Sequence, residues 1–71
     1  MKAISVLAKT GRDGGSCDDD DCPTGYVTDD GRLIIQGDPA DSAEGVKLGP
    51  GEQSVVVPVE LVRELLRALD D

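Results

Sequence analysis

The first apolar run of the chain lies close to its start. Residues 3–7 read Ala-Ile-Ser-Val-Leu, so Ile4 and Val6 stand two positions apart. Side chains alternate between the two faces of a strand, and this spacing therefore predicts a β-strand with both residues on one face. The next segment, about residues 9–21, is rich in Gly and Asp and poor in apolar side chains, which predicts an acidic loop.

An Asp-Gly pair between two β-branched runs indicates a hairpin in the middle of the chain. The runs are residues 25–28 and 32–36, and Asp30-Gly31 stands between them. Asp-Gly is a preferred pair for a two-residue hairpin loop, in which both residues take positive φ. We therefore expect Asp30 and Gly31 to form that loop.

The loop length decides which side chains face each other. A two-residue loop pairs Tyr26 with Ile35 and Val27 with Ile34, and it places Tyr26, Leu33 and Ile35 on one face. A three-residue loop would shift the pairing by one position and exchange the faces.

The last third of the chain predicts a loop, a strand and a helix. Residues 38–51 contain several Gly and Pro and form a second polar loop, and residues 52–57 form a strand. Pro58 suits the first position of a helix, where its missing N–H has no intrahelical acceptor. The helix continues to about Leu69, and its apolar stripe consists of Leu61, Val62, Leu65, Leu66 and Leu69.

These elements predict a single α+β domain over residues 1–71. Its architecture is a small antiparallel sheet of about four strands with one C-terminal amphipathic helix. One helix covers one face of a sheet, yet apolar side chains are expected on both faces. Either the long loops cover the second face, or a homodimer buries Val27, Ile34 and Val56 there. Because the loops carry few apolar residues, we favour the homodimer.

The charge balance excludes several classes of partner. Fifteen Asp and Glu against seven Lys and Arg give a net charge of −8. Such a chain offers no basic face to phosphates, so we expect no direct contact with nucleic acid. We expect no membrane partner and a cytoplasmic location, since no apolar run reaches the length of a span. The acidity fits solubility, a halophile-adapted domain of unknown role, or docking on a basic protein partner.

Two cysteines enclose the most acidic part of the chain. Cys17 and Cys22 make a weak candidate for a metal site, because the chain has no His and a zinc site normally needs four ligands. A disulfide closing this short loop and a pair of free thiols are the other two interpretations. The enclosed carboxylates are candidates for an interaction surface and belong to Asp18, Asp19, Asp20 and Asp21.

The sequence contains no recognisable set of catalytic residues. There is no His, and no Ser has an evident base to activate it. The Gly-rich segment of residues 11–15 lacks the Lys and Ser or Thr that complete a phosphate-binding loop. We therefore expect a protein that is not an enzyme and that uses no cofactor.

A set of residues in the C-terminal two thirds carries a family resemblance. They are Cys22, Pro23, Thr24, Tyr26, Thr28, Asp29, Gly31, Gln36, Gly37, Gly51, Glu52, Val55, Val57, Pro58 and Leu61. The segment from Cys22 to Leu69 resembles small uncharacterised actinobacterial proteins encoded beside helix-turn-helix regulators, and it is distantly BldB-like. The resemblance implies a dimeric, non-enzymatic partner of a transcription factor.

The sequence thus predicts an interaction or regulatory module. Its interaction residues are expected in the acidic run of residues 18–21 and at Ile34. The alternative is a metal- or redox-responsive small protein that uses Cys17 and Cys22.

Overall fold

The computed structural model describes residues 1–17, 21–40 and 45–70. Within them the elements follow one another as β1 (Ala3–Lys9), β2 (Thr24–Thr28), β3 (Leu33–Gln36), β4 (Asp38–Pro39), β5 (Val55–Val56) and α1 (Val59–Asp70). The first three strands form an antiparallel sheet in chain order, and β4 pairs with β5 in a second, two-stranded sheet. The α+β class and the C-terminal helix are confirmed. Five strands in two sheets replace the predicted four.

Gly37 accounts for the extra strand. A Cβ at Gly37 would lie 2.7 Å from the carbonyl oxygen of Val56, so the two backbones approach closely only because this residue has no side chain. β4 follows Gly37 directly and pairs Asp38 with Val56 and Pro39 with Val55. A strand therefore lies inside the segment predicted as a polar loop.

The β2–β3 hairpin has a three-residue loop, so the expected two-residue loop is wrong. The amide of Thr28 donates to the carbonyl oxygen of Arg32 at 2.8 Å and closes the loop over residues 29–31. Gly31 takes a φ of 83°, whereas Asp30 keeps a negative φ. A turn followed by a left-handed glycine is the usual form of a three-residue hairpin loop. The hydroxyl oxygen of Thr28 supports it by accepting the Arg32 amide at 2.8 Å.

The shifted register divides the surface that we expected to form the homodimer. Tyr26 faces Ile34 and Val27 faces Leu33. Neighbouring residues of a strand point to opposite faces, so Val27 and Ile34 lie on opposite sides of the sheet. Val56 belongs to the second sheet. The expected patch of Val27, Ile34 and Val56 is therefore not one continuous surface of this sheet.

β1 is an edge strand with two irregularities. It is longer than predicted and ends at Lys9. Its register with β2 shifts between Ala3 and Ser5 and again between Val6 and Ala8, which leaves one extra residue of β1 at each shift. β-bulges of this kind bend a strand and increase its twist.

The helix packs on the sheet over Gly25. Leu61 and Leu65 are buried, and a Cβ built on Gly25 would overlap the side chain of Leu65. The contact therefore requires glycine at this position of β2. Only these two residues of the predicted five-residue stripe are buried, and the other three are exposed: Val62, Leu66 and Leu69.

Gly25→Ala should lower the free energy of unfolding by about 1–3 kcal/mol, because the added methyl group overpacks the contact with Leu65. Leu65→Ala should cost about 2–5 kcal/mol by itself, and it also makes room for that methyl group. The double variant should therefore be more stable than the sum of the single effects predicts. Urea unfolding of the four proteins measures this coupling.

Gly15→Ala is the matched control. A Cβ there would meet only the carboxylate of Asp13, at 3.3 Å, which is the end of a flexible side chain. Its stability should stay within about 0.5 kcal/mol of the parent protein. Additive effects of Gly25→Ala and Leu65→Ala would contradict the packing described here.

Candidate functional site

A disulfide closes the acidic segment of the chain. The sulfur atoms of Cys17 and Cys22 are bonded, and their Cα atoms lie 6.5 Å apart. We call residues 17–22 the acidic disulfide loop. Of the three interpretations of these cysteines, the structure contains the disulfide. Thiolates are the form of cysteine that binds metals, so the oxidised pair is not a pair of thiolate ligands.

The predicted interaction residues lie only partly within the described chain. Asp18, Asp19 and Asp20 fall outside the described residues. Asp21 is exposed, and its carbonyl oxygen accepts a hydrogen bond from Nη2 of Arg12 at 3.1 Å. In the described part of the chain, no three His, Cys, Asp or Glu side chains are grouped to hold a metal ion.

Arg12 connects the acidic disulfide loop to β4. Its Nε lies 2.6 Å from Oδ2 of Asp38, and its Nη2 lies 3.0 Å from Oδ1 of the same carboxylate. This bidentate geometry is the strong form of an Arg–carboxylate pair. Hydrogen bonding from Arg12 lowers the pKa of the Asp38 carboxyl, and the same contact raises the pKa of Arg12.

Sequence reasoning missed the role of Arg12. The available signal is that Arg12 is the one basic residue between Lys9 and Arg32, within a stretch crowded with aspartates. A lone cation in such a segment is attracted to nearby carboxylates. Nothing local indicates Asp38, which lies 26 positions further along the chain.

The Cys22 end of the loop is fixed to the sheet. The carbonyl oxygen of Cys22 accepts hydrogen bonds from Oγ1 of Thr24 at 2.7 Å and from Nε2 of Gln36 at 3.3 Å. Cys22, Pro23 and Thr24 are all buried, whereas Cys17 at the other end is partly exposed. The disulfide therefore joins a firmly held residue to a more accessible one.

Ile34 lies on the sheet face that points away from the helix. It is half-buried and faces Tyr26, which in turn faces Val6 on β1. The hydroxyl of Tyr26 donates to Oε1 of Gln36 at 2.9 Å. Because Gln36 also bonds to Cys22, Ile34 shares this face with the fixed end of the acidic disulfide loop.

A second exposed surface lies on the helix. Four apolar side chains of α1 have exposed fractions between 48 and 65%, and we call them the exposed helix stripe: Val59, Val62, Leu66 and Leu69. Successive helix residues are separated by about 100°, so the four share one side next to the side that carries Leu61 and Leu65. Three of them, Val62, Leu66 and Leu69, belong to the apolar stripe that the sequence predicted.

Ion pairs neutralise the polar side of the helix. Nη1 of Arg63 lies 2.5 Å from Oε1 of Glu60, and Nη1 of Arg67 lies 3.2 Å from Oε1 of Glu64. Both pairs are exposed, so each contributes little to stability. Their effect is that the arginines beside the exposed helix stripe carry their own counter-charges.

No family model, curated protein or solved structure matches this chain. The family resemblance of the segment from Cys22 to Leu69 therefore stays a prediction. Within the described residues, no helix has the length and apolar character needed to cross a membrane. The geometry of the two surfaces is accordingly the basis for any functional assignment.

The Arg12–Asp38 pair should persist in moderately acidic solution. A carboxyl whose folded pKa lies below its unfolded value of about 3.9 contributes stability above that value, and the contribution is lost as pH falls through the folded pKa. An NMR titration should place the pKa of Asp38 below the ordinary range. Arg12→Gln should return it toward that range.

Asp30 is the internal reference for this titration. A hydrogen bond from Arg32 lowers its pKa, with a second contribution from Thr28, and neither partner involves Arg12. Asp30 should therefore titrate alike in the parent and Arg12→Gln proteins. An unchanged Asp38 titration in the variant would show that Arg12 is not its partner in solution.

Proposed function

We propose that this domain is a non-enzymatic protein-interaction module. One observation carries the proposal: the described part of the chain exposes twelve large apolar side chains, while its buried hydrophobic residues are Cys22, Leu61 and Leu65. Isolated soluble domains rarely expose large contiguous apolar patches, and such patches mark interaction sites. Four of the twelve lie side by side on α1 as the exposed helix stripe.

The charge distribution supports a partner with a basic surface. All four arginines are held by carboxylates of the same chain, in the pairs Arg12–Asp38, Arg32–Asp30, Arg63–Glu60 and Arg67–Glu64. The remaining acidic side chains dominate the electric field around a molecule of net charge −8. Such a field steers basic partners toward the protein and disfavours phosphates.

The acidic disulfide loop is the surface that we assign to the basic partner. The disulfide joins Cys17 to Cys22, and a hydrogen bond from Arg12 holds the carbonyl oxygen of Asp21, so ordering these residues on binding costs less chain entropy. Ile34 shares its sheet face with Gln36, whose side chain bonds to Cys22 at the end of this loop. The family resemblance supports a helix-turn-helix regulator as the partner, because a DNA-binding protein carries a basic face.

Removing loop charge should slow association with such a partner. The partner is first captured from the native cell extract by cross-linking and identified, and its association rate is then measured with purified proteins. Asp20→Asn/Asp21→Asn should lower this rate, and rising salt should lower it for the parent, since exposed charges are screened beyond about 10 Å at 0.1 M.

Asp70→Asn/Asp71→Asn is the matched control, because it removes the same charge at the far end of the chain. Its association rate should stay close to that of the parent protein. Equal rates for all three proteins would exclude the loop as the docking surface. Halophilic adaptation predicts a different result, in which no basic partner is captured and stability rises only in molar salt.

Thiol redox response is a second candidate function, favoured by the Cys17–Cys22 disulfide. Reduction by a dithiol transfers two electrons and two protons to the two sulfurs and opens the loop, while the reductant becomes a disulfide. The partly exposed Cys17 is the more accessible sulfur for attack. A response of this kind requires that the open and closed loops bind the partner differently.

Reduction should lower the stability of the domain by about 2 kcal/mol, the value that chain entropy predicts for so short a loop. Urea unfolding with and without reductant measures this, and Cys17→Ser/Cys22→Ser should behave like the reduced protein. Intact mass should rise by two hydrogen atoms on reduction. Equal partner affinity of the oxidised and reduced proteins would remove redox control and leave the disulfide as a structural crosslink.

A further inference from the structure

We infer that the exposed helix stripe pairs with the same stripe of a second copy of this chain, with the two α1 helices antiparallel. This inference rests on the proposed interaction function and assigns a partner to one of the two surfaces. The acidic disulfide loop remains the surface for a different protein.

The order of residues in the stripe favours an antiparallel pair. Val59, Val62, Leu66 and Leu69 are spaced by three, four and three positions, and this spacing is the same in either direction. It is also the apolar spacing of paired helices. Antiparallel pairing places Val59 opposite Leu69 of the partner subunit, and Val62 opposite Leu66 of the partner subunit.

Side-chain size distinguishes the two possible orientations. In the antiparallel pair every layer contains one Val and one Leu, so the helices can keep a constant separation. A parallel pair would place Val against Val at one end and Leu against Leu at the other, which spreads the helices unevenly. The helix dipoles also oppose each other in the antiparallel pair, which is the favourable arrangement.

The low net charge of α1 favours this helix as the surface through which two copies of this acidic protein meet. The whole chain carries −8. The helix carries three acidic and two basic side chains, a net charge of −1: Glu60, Glu64, Asp70, Arg63 and Arg67. Two identical antiparallel helices are related by a two-fold axis, which places both copies of Arg63 along the same edge of the helix pair. Each Arg63 is already neutralised there by Glu60 of its own helix.

The open sheet face is less suited to this role. Val6 is 54% exposed there, but Ile34 and Tyr26 beside it are half-buried, and the hydroxyl of Tyr26 is already bonded to Gln36. Leu66 and Val59 are 58 and 65% exposed. Four partly exposed side chains per copy form a patch smaller than that of a permanent dimer, so the pair should be weak and reversible.

Sedimentation equilibrium of the full chain tests the pairing between about 10 μM and about 1 mM, the range for weak association. The parent protein should pass from monomer to dimer, and Leu66→Glu should weaken the dimer by at least about tenfold. Val46→Glu is the matched control, because Val46 is 48% exposed outside the helix. Far-UV circular dichroism checks that both variants fold.

Three results would overturn the inference: a parent protein that stays monomeric, a folded Leu66→Glu protein that dimerises as the parent does, or loss of the dimer in Ile34→Lys with Leu66→Glu unaffected. The last would place the contact on the open sheet face. The result of the sedimentation experiment does not depend on whether the acidic disulfide loop binds a basic protein. If the protein dimerises but no basic partner is captured, only the proposed docking on the acidic disulfide loop is contradicted, and the helix pairing stands.

The orientation is tested by cross-linking with a short bismaleimide, which joins free thiols and leaves the Cys17–Cys22 disulfide intact. Val59→Cys and Leu69→Cys proteins should cross-link when mixed, because antiparallel helices place the two positions opposite each other. Val59→Cys alone should give little cross-linked dimer. Efficient cross-linking of Val59→Cys alone would show a parallel pair and overturn the antiparallel assignment.

Discussion

Leu65 reaches the sheet only because β2 has no side chain at Gly25. This contact sets the distance between helix and sheet, and it also sets the rotation of the helix about its axis. With Leu65 over Gly25, Leu61 is turned inward and becomes fully buried. The neighbouring arc of apolar residues is turned outward by the same rotation. The small core and the exposed helix stripe are therefore two results of one packing constraint.

Periodicity predicted the elements of the fold better than their pairing. The helix was predictable because Pro58 and the apolar spacing after it leave few alternatives. Its apolar residues cover about half of the helix, however, and nothing in the sequence says which part faces a sheet. The hairpin was located by its Asp-Gly pair, but Gly31 suits a loop of two or three residues equally well. The hydrogen bonds between Thr28 and Arg32 fix a loop of three residues.

The candidate site was predictable where it is local in sequence. The spacing of Cys17 and Cys22 allowed a disulfide but equally allowed free thiols, because oxidation depends on how close the folded chain brings the two Cα atoms. The bridge from Arg12 to Asp38 and the two-residue strand β4 depend on contacts between distant segments. A strand of two residues has no period to detect.

The irregular edge of the sheet has a consequence for aggregation by strand addition. An edge strand with regular, unpaired backbone groups can template the addition of another strand, and a chain with exposed Ile4 and Val6 is at particular risk. The two register shifts in β1 interrupt that row of donors and acceptors. Growth by successive strand addition is hindered there, while side-chain contacts between helices stay possible. The bulges thus favour assemblies that close at a definite size over fibres that extend without limit.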